Sequence, residues 1–322
     1  MQRIVVQATL TRSEMMCHHW GLDLTVGCEH GCAYCAFHKY QSVTLRHAHD
    51  GRSPARRLAV DAFLRQKEYP SEIYLSPHTD PLAPAARDNL ARVLRRTLPL
   101  GVGVGISTKG IVPEAVFRLI AEYREQVVLF VGLTSLDEDR NGVVEPGCPP
   151  APARLGNIRL AREHGLTQIS VRLDPLLPGV DDAPDRLLPL LDEVAQAGAR
   201  QVSAAYLFLL LRSSRTRLQQ TPYLGSAAAH CTEVGSVAGV AICSPPLKRK
   251  QQTYTWLQDE CTARGLEFAT CGCKDPRLTN GPFATCCSHP FTAPHSASRH
   301  GHPPEALVNL TERRRSRWRK PR

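Results

Sequence analysis

Strand-like and helix-like stretches alternate through the first two thirds of the chain, and that rhythm narrows its fold more than any other feature. Short apolar runs fall at 21–26 (GLDLTV), 72–76 (EIYLS), 102–108 (VGVGIST), 127–135 (VVLFVGLTS), 169–177 (ISVRLDPLL) and 201–211 (QVSAAYLFLLL). Helical stretches of about 10–15 residues separate them, at 84–98, 113–125, 152–165 and 185–198, after an earlier one that opens at Ser53-Pro54 and runs to about Lys67. Neighbouring parallel strands need a long crossover, normally a helix, so the alternation predicts βαβ units and a parallel sheet. An open or partial barrel is the expected closure. Ligands in such sheets bind beyond the carboxyl ends of the strands, so the residues just after each strand are the first candidates for chemistry.

Past Arg212 the rhythm stops. The expected organisation is an irregular lead over 1–20, a core barrel over 21–212, an extension over 213–290 that becomes cysteine-rich, and a His-, Pro-, Ser- and Arg-rich tail over 291–322 of disordered composition. The formal charge of +10 belongs mostly to that tail, because seven of the last ten residues are Lys or Arg, which leaves about +3 elsewhere. The tail RRRSRWRKPR can contact phosphates, with Trp318 stacking on a base, or can be a plain solvated terminus. No run of about 18 apolar residues exists to span a bilayer, and the opening MQRIVVQATL lacks an apolar signal core. A cytoplasmic protein without membrane contact is expected. In a reducing compartment, twelve cysteines point to metals or redox chemistry before disulfides.

The sharpest local signal is VGCEHGCAYCAF, in which Cys28, Cys32 and Cys35 form C-x3-C-x2-C just after the first strand. Three thiolates on one tight loop can each hold one iron of a [4Fe-4S] cube and leave the fourth iron open. Gly27 and Gly31 permit the backbone path of such a loop. The alternative is zinc, with His30 or His38 as a further ligand, although structural zinc usually pairs two C-x2-C knuckles. With Tyr34 before its third cysteine, the loop resembles the signature of the radical S-adenosylmethionine (SAM) superfamily. Five stretches taken in order, LTVGCEHGCAYC, LSPHTDPLAP, ISTKG, EPGCPPAPARL and VRLDPLLPGVDD, resemble its spore photoproduct lyase-like branch.

The resemblance implies an α/β fold, a partial (β/α)6 radical SAM barrel with a Cys-rich C-terminal extension. It implies reductive cleavage of SAM at a [4Fe-4S] cluster to a 5′-deoxyadenosyl radical that abstracts hydrogen from a substrate. That substrate is DNA or RNA if the branch's habit holds, or a small metabolite or peptide of a biosynthetic pathway if it does not. A flavodoxin- or ferredoxin-type electron donor is implied as partner. Carried over residue by residue, Tyr34 lies against the cluster and the adenine, and Thr79 and Lys109 contact SAM. Arg172 and Asp174 hold its ribose or methionyl end. A cation at Lys109 suits the SAM carboxylate, while Lys109 as a sheet-edge cap and Asp174-Pro175 as a turn starter are the plain structural readings. Two positions depart from the lyases: Pro77 stands where they carry a hydrogen-donating cysteine, and Ala36 where they commonly place a tyrosine. Both weaken thymine-dimer repair as the reaction.

A second group, Cys271, Cys273, Cys286 and Cys287, forms C-x-C-x12-C-C beyond the expected core, with Cys261 upstream. Four soft ligands can bind a second iron–sulfur cluster or zinc, and unbound thiols or a disulfide stay open as readings. Cys17, Cys148, Cys231 and Cys243 read as buried or incidental thiols, with Cys148 placed in a strand-end loop where it can donate hydrogen. His289, His295, His300 and His302 receive no role. The competing reading of a different class is a zinc-bearing nucleic-acid-binding protein in which both cysteine groups are structural.

Overall fold

The computed structural model describes residues 10–11, 20–25, 27–36, 60–211, 218, 221–237, 240–278 and 281–286. The chain divides into a unit over 1–292 and a second over 293–322, and the described residues all belong to the first. The tail, with Trp318 and the four histidines from His289 on, lies outside the described residues, as do Cys17, His38 and Cys287. Among the described residues, no helix is long and apolar enough to cross a membrane.

The expected alternation is present. A short β1 (Leu10–Thr11) pairs antiparallel with β2 (Gly21–Leu22), and from β2 the sheet runs parallel through β3 (Glu72–Leu75), β4 (Gly103–Thr108), β5 (Val127–Gly132), β6 (Ile169–Leu176) and β7 (Gln201–Tyr206). The crossovers carry α1 (Arg87–Thr97), α2 (Glu114–Ala121), a short α3 (Glu138–Val144), α4 (Ala151–Glu163) and α5 (Pro184–Ala197). β5 and β7 are buried along their whole length, as strands covered on both faces must be. Helix α1 faces the sheet with Leu90, Val93, Leu94 and Thr97, one stripe at helical spacing. Each such leucine contributes about 1.5–3 kcal/mol through removal from water.

Beyond β7 the sheet does not stop. The apolar run expected as one strand over 201–211 breaks at Leu207, and β8 (Leu209–Leu210) joins β10 (Val240–Ser244) and β9 (Glu233–Val237) in a small antiparallel sheet. After the short α6 (Leu224–Ala229), helix α7 (Leu247–Ala263) returns the chain to the main sheet. There β11 (Glu267–Thr270) pairs parallel with β7, and β12 (Ala284–Thr285) pairs parallel with β11. The parallel sheet therefore has eight strands, β2 to β7 with β11 and β12, and the cysteine-rich segment forms its far edge rather than an appendage.

Aromatic packing fixes this edge. Tyr254 of α7 accepts a hydrogen bond from the Tyr206 backbone N–H at 3.0 Å, and its ring lies 5.9 Å from Phe268 and 6.0 Å from Phe283. Burial of these rings supplies more of the edge's stability than the backbone pairing of so short a β12. Phe268→Ala should cost about 3–5 kcal/mol in urea unfolding; a loss near zero would show that the last strands are not part of the core.

Candidate active site

The loop after β2 is shaped before any ligand is considered. Gly31 sits at φ +59°, a left-handed conformation that a side chain resists. Thr25 Oγ1 donates to Gly27 O at 3.1 Å, and the Cys35 N–H donates to Cys32 O at 3.1 Å. The end of α3 and the turn after it clamp the loop from behind: Ala33 N donates to Val144 O at 2.8 Å and Gly147 N to His30 O at 2.9 Å. The approach is so close that a Cβ on Gly147 would lie 2.5 Å from Glu29 O, so only glycine fits. The loop's position is thus set by a segment more than a hundred residues away in sequence.

Each parallel strand feeds residues from its carboxyl end into one cavity of about 280 Å³. Cys28, Cys32, Cys35 and Tyr34 come from the loop after β2, Thr79 from the turn after β3, Lys109 from the end of β4, and Arg172 and Asp174 from β6. The sites predicted from separate stretches of sequence therefore converge. Cys271, Cys273 and Cys286, expected outside the core, line the same cavity.

Charge on the floor of the cavity is organised by Glu145, which the sequence reading had not singled out. Its carboxylate accepts from Arg154 Nη1 at 2.5 Å and from Tyr34 Oη at 2.5 Å, with Thr134 Oγ1 at 3.3 Å and Lys109 Nζ at 3.9 Å. Burial pushes its pKa up, but the cations Lys109, Arg154 and Arg140 outweigh that and hold it at about 2. Burial disfavours the charge of Lys109, yet Glu145 keeps it firmly protonated. The ammonium lies 5.6 Å from the centroid of Tyr34 and 3.3 Å from Asp174 O.

Asp80 ties the ends of β3 and β4 together. It accepts from Thr108 Oγ1 at 2.7 Å and from the backbone N–H of Lys109 at 2.7 Å. His30 directs Nδ1 to Gly147 O at 3.1 Å and brings Nε2 to 3.2 Å from Asp80 Oδ2, a charge contact without hydrogen-bond alignment. With both ring nitrogens turned to protein oxygens, His30 is poorly placed as a zinc ligand. On the side wall Arg172 donates to Asp174 Oδ2 at 2.7 Å and to Tyr74 Oη at 3.2 Å, while Lys274 pairs with the other Asp174 oxygen. Burial opposes the charge on Asp174, but Lys274 and Arg172 hold its carboxyl below the usual range.

Two features favour a bound group. Thr79 Oγ1 is buried and has no hydrogen-bond partner among the described residues, an expensive omission in a finished core and a fitting one in a ligand site. The loop also presents soft donors of the right kind. A hydrogen bond from Cys148 draws the Cys32 thiol down to about 7 despite burial, whereas burial pushes Cys28 up. Cys28, Cys32 and Cys35 can hold an iron–sulfur cluster, and Thr79 and Lys109 can receive the polar end of a second ligand.

The second cysteine group is built by sheet register. Thr270 of β11 is paired with Thr285 of β12, so Cys271 and Cys286 follow side by side at the strand ends. Both are thiols, and a hydrogen bond from Cys286 helps lower Cys271 to about 6. Cys273 is disulfide-bonded, one of the states the sequence leaves open for this group.

A model of the Radical SAM superfamily matches residues 22–191. The uncharacterized protein ORF301 of Acidianus two-tailed virus is 27% identical over 197 residues, covering 57% of this chain and 65% of that protein. The uncharacterized protein Rv2578c of Mycobacterium tuberculosis is 28% identical over 194 residues, covering 57% of each. The chain thus matches less than two thirds of either relative's length. Among solved structures, a spore photoproduct lyase variant with bound AdoMet and dinucleoside spore photoproduct superposes with TM-score 0.56 at 9% identity, covering 78% of this chain and 76% of that one. Spore photoproduct lyase complexed with dinucleoside spore photoproduct gives 0.55 at 11%, covering 79% and 77%. At such identities the likeness speaks for the fold.

Replacing Glu145 tests the floor directly. Glu145→Gln should destabilise the protein by about 3–5 kcal/mol at pH 7, because Lys109 and Arg154 lose their buried counter-charge. The folded pKa of Glu145 is depressed, so its contribution is fully present above the unfolded value of 4.5 and is lost as pH falls toward about 2. Urea titrations from pH 7 to 3 should show the wild-type advantage over Glu145→Gln shrinking below pH 4.5.

Proposed function

The chain belongs to the radical SAM superfamily, and from that premise we propose that it is an enzyme that holds a [4Fe-4S] cluster on Cys28, Cys32 and Cys35 and cleaves SAM reductively there. The cluster, when bound there, would supply the one-electron reduction that SAM cleavage and hydrogen abstraction require. The convergence of three thiols, an unpartnered Thr79 hydroxyl and the protonated Lys109 on one cavity carries this reading.

The chain's own residues have distinct tasks. Lys109 offers its ammonium to the carboxylate of SAM, and Glu145 behind it fixes the direction of that charge. Thr79 supplies a hydrogen bond at the same end. Tyr34, held through its hydroxyl by Glu145, presents a ring face on which the adenine can rest. Arg172 and Asp174, locked to each other on one face of β6, position the ribose or the methionyl group.

The substrate reading is a nucleic acid, supported by the shared fold with spore photoproduct lyase and its dinucleoside ligand. Pro77 lines the cavity where those lyases place a thiol, which supports a reaction other than dimer repair. A small metabolite or peptide is the second substrate reading. A flavodoxin- or ferredoxin-type protein is the electron donor proposed, in a reducing compartment. A second cluster or a zinc ion on Cys271, Cys273, Cys286 and Cys287 would require the Cys273 disulfide to be reduced first.

Anaerobic reconstitution tests the reading. The expected result is a brown protein with thiolate-to-iron absorbance that releases 5′-deoxyadenosine from SAM on addition of dithionite; a colourless, zinc-only protein would favour the structural alternative. Replacing Cys28, Cys32 and Cys35 together with Ala should remove the iron and the activity. Lys109→Met should weaken SAM binding to the reconstituted protein by about tenfold or more, the loss of one charge-assisted hydrogen bond, as measured by equilibrium dialysis.

A further inference from the structure

One thiol outside the three-cysteine motif reaches the cluster loop. Cys148, between α3 and α4, places its Sγ 3.7 Å from Cys32 Sγ across 116 residues of sequence. This is hydrogen-bond range for sulfur. The contact is held on both sides by the clamp already described, and the Cys148 backbone N–H donates to Glu145 O at 2.9 Å, which fixes its turn. Cys32 lines the cavity, and Cys148, which is only half-buried, is not among the lining residues.

We propose that Cys148 is a positioning residue for the cluster, whose S–H donates a hydrogen bond to Cys32 Sγ and thereby raises the potential at which the cluster accepts its electron. The proposal rests on the reading that Cys28, Cys32 and Cys35 hold the cluster. As an iron ligand Cys32 has no proton, so the donor in this pair must be Cys148. Reduction adds negative charge that is shared with the ligating sulfurs, and a donor aimed at one of them stabilises the reduced state more than the oxidised state. A half-buried donor aimed at the buried Cys32 acts more strongly than one fully in water.

The test compares full-length wild type, Cys148→Ala and Cys148→Ser after anaerobic reconstitution, by iron content and by redox titration followed through the EPR signal of the reduced cluster. Cys148→Ala should load the same iron but be harder to reduce by about tenfold in equilibrium constant, about 59 mV for a one-electron couple. Cys148→Ser keeps a donor and should return most of the way to wild type. An unchanged potential in Cys148→Ala overturns the proposal, and so does a Cys148→Ser potential that falls equally. A three-iron signal in Cys148→Ala also overturns it, because Cys148 would then be a ligand. If Cys148→Ala holds no iron, Cys148→Ser decides: a loaded cluster at wild-type potential supports the donor role, and an empty one refutes it. Failure of the underlying reading looks different, since wild type itself would then take up no iron or show no change in its EPR spectrum on addition of SAM.

Discussion

A single buried carboxylate holds the site in register. Glu145 follows α3, its partner Arg154 belongs to α4, Lys109 ends β4, Thr134 follows β5, and Tyr34 sits in the cysteine loop. A buried charge is tolerated only when its oxygens are well paired. Here Arg154 and two hydroxyls hydrogen-bond the carboxylate and Lys109 adds a second positive charge nearby, and five chain segments are placed relative to one another as a by-product. Arg140, bonded to Asp181 at 2.5 Å and to Thr134 at 2.9 Å, extends the same network toward the turn after β6.

The barrel core was legible because its elements obey simple periods. The runs at 103–108 and 127–132 are apolar and short, and the helices between them carry one buried stripe each. The cysteine loop was legible because its spacing is rare and its place after the first strand is chemically meaningful. Thr79, Lys109, Arg172 and Asp174 stand out only through resemblance, and all four line the one cavity.

What sequence hid has identifiable causes. Helix α7 buries Lys250, Tyr254, Leu257 and Cys261 at clean helical spacing, yet the stripe begins with a lysine. That lysine is buried only because Asp275, at 2.7 Å, and Ser244, at 2.9 Å, receive it, and neither partner is visible in a window around residue 250. β12 has only two residues, too few for alternation to be counted, and the four of β11 lie beyond the stretch where strands and helices alternate plainly, so the sheet's continuation is not visible in the sequence. Glu145 and Arg154 lay inside a quoted motif, but no local pattern pairs them with Lys109. The strand expected over 21–26 shrinks to Gly21–Leu22 because the chain bends away toward the loop as soon as its pairing with β3 ends.

The side-by-side thiols of Cys271 and Cys286 impose a demand on any chemistry in this chamber. Sulfur–hydrogen bonds are weaker than the carbon–hydrogen bonds of sugars or alkyl chains, so a carbon radical released here without a partner would spend itself on the wall. A bound substrate would therefore have to act as insulation as well as target, and idle turnover would be paid in oxidised protein.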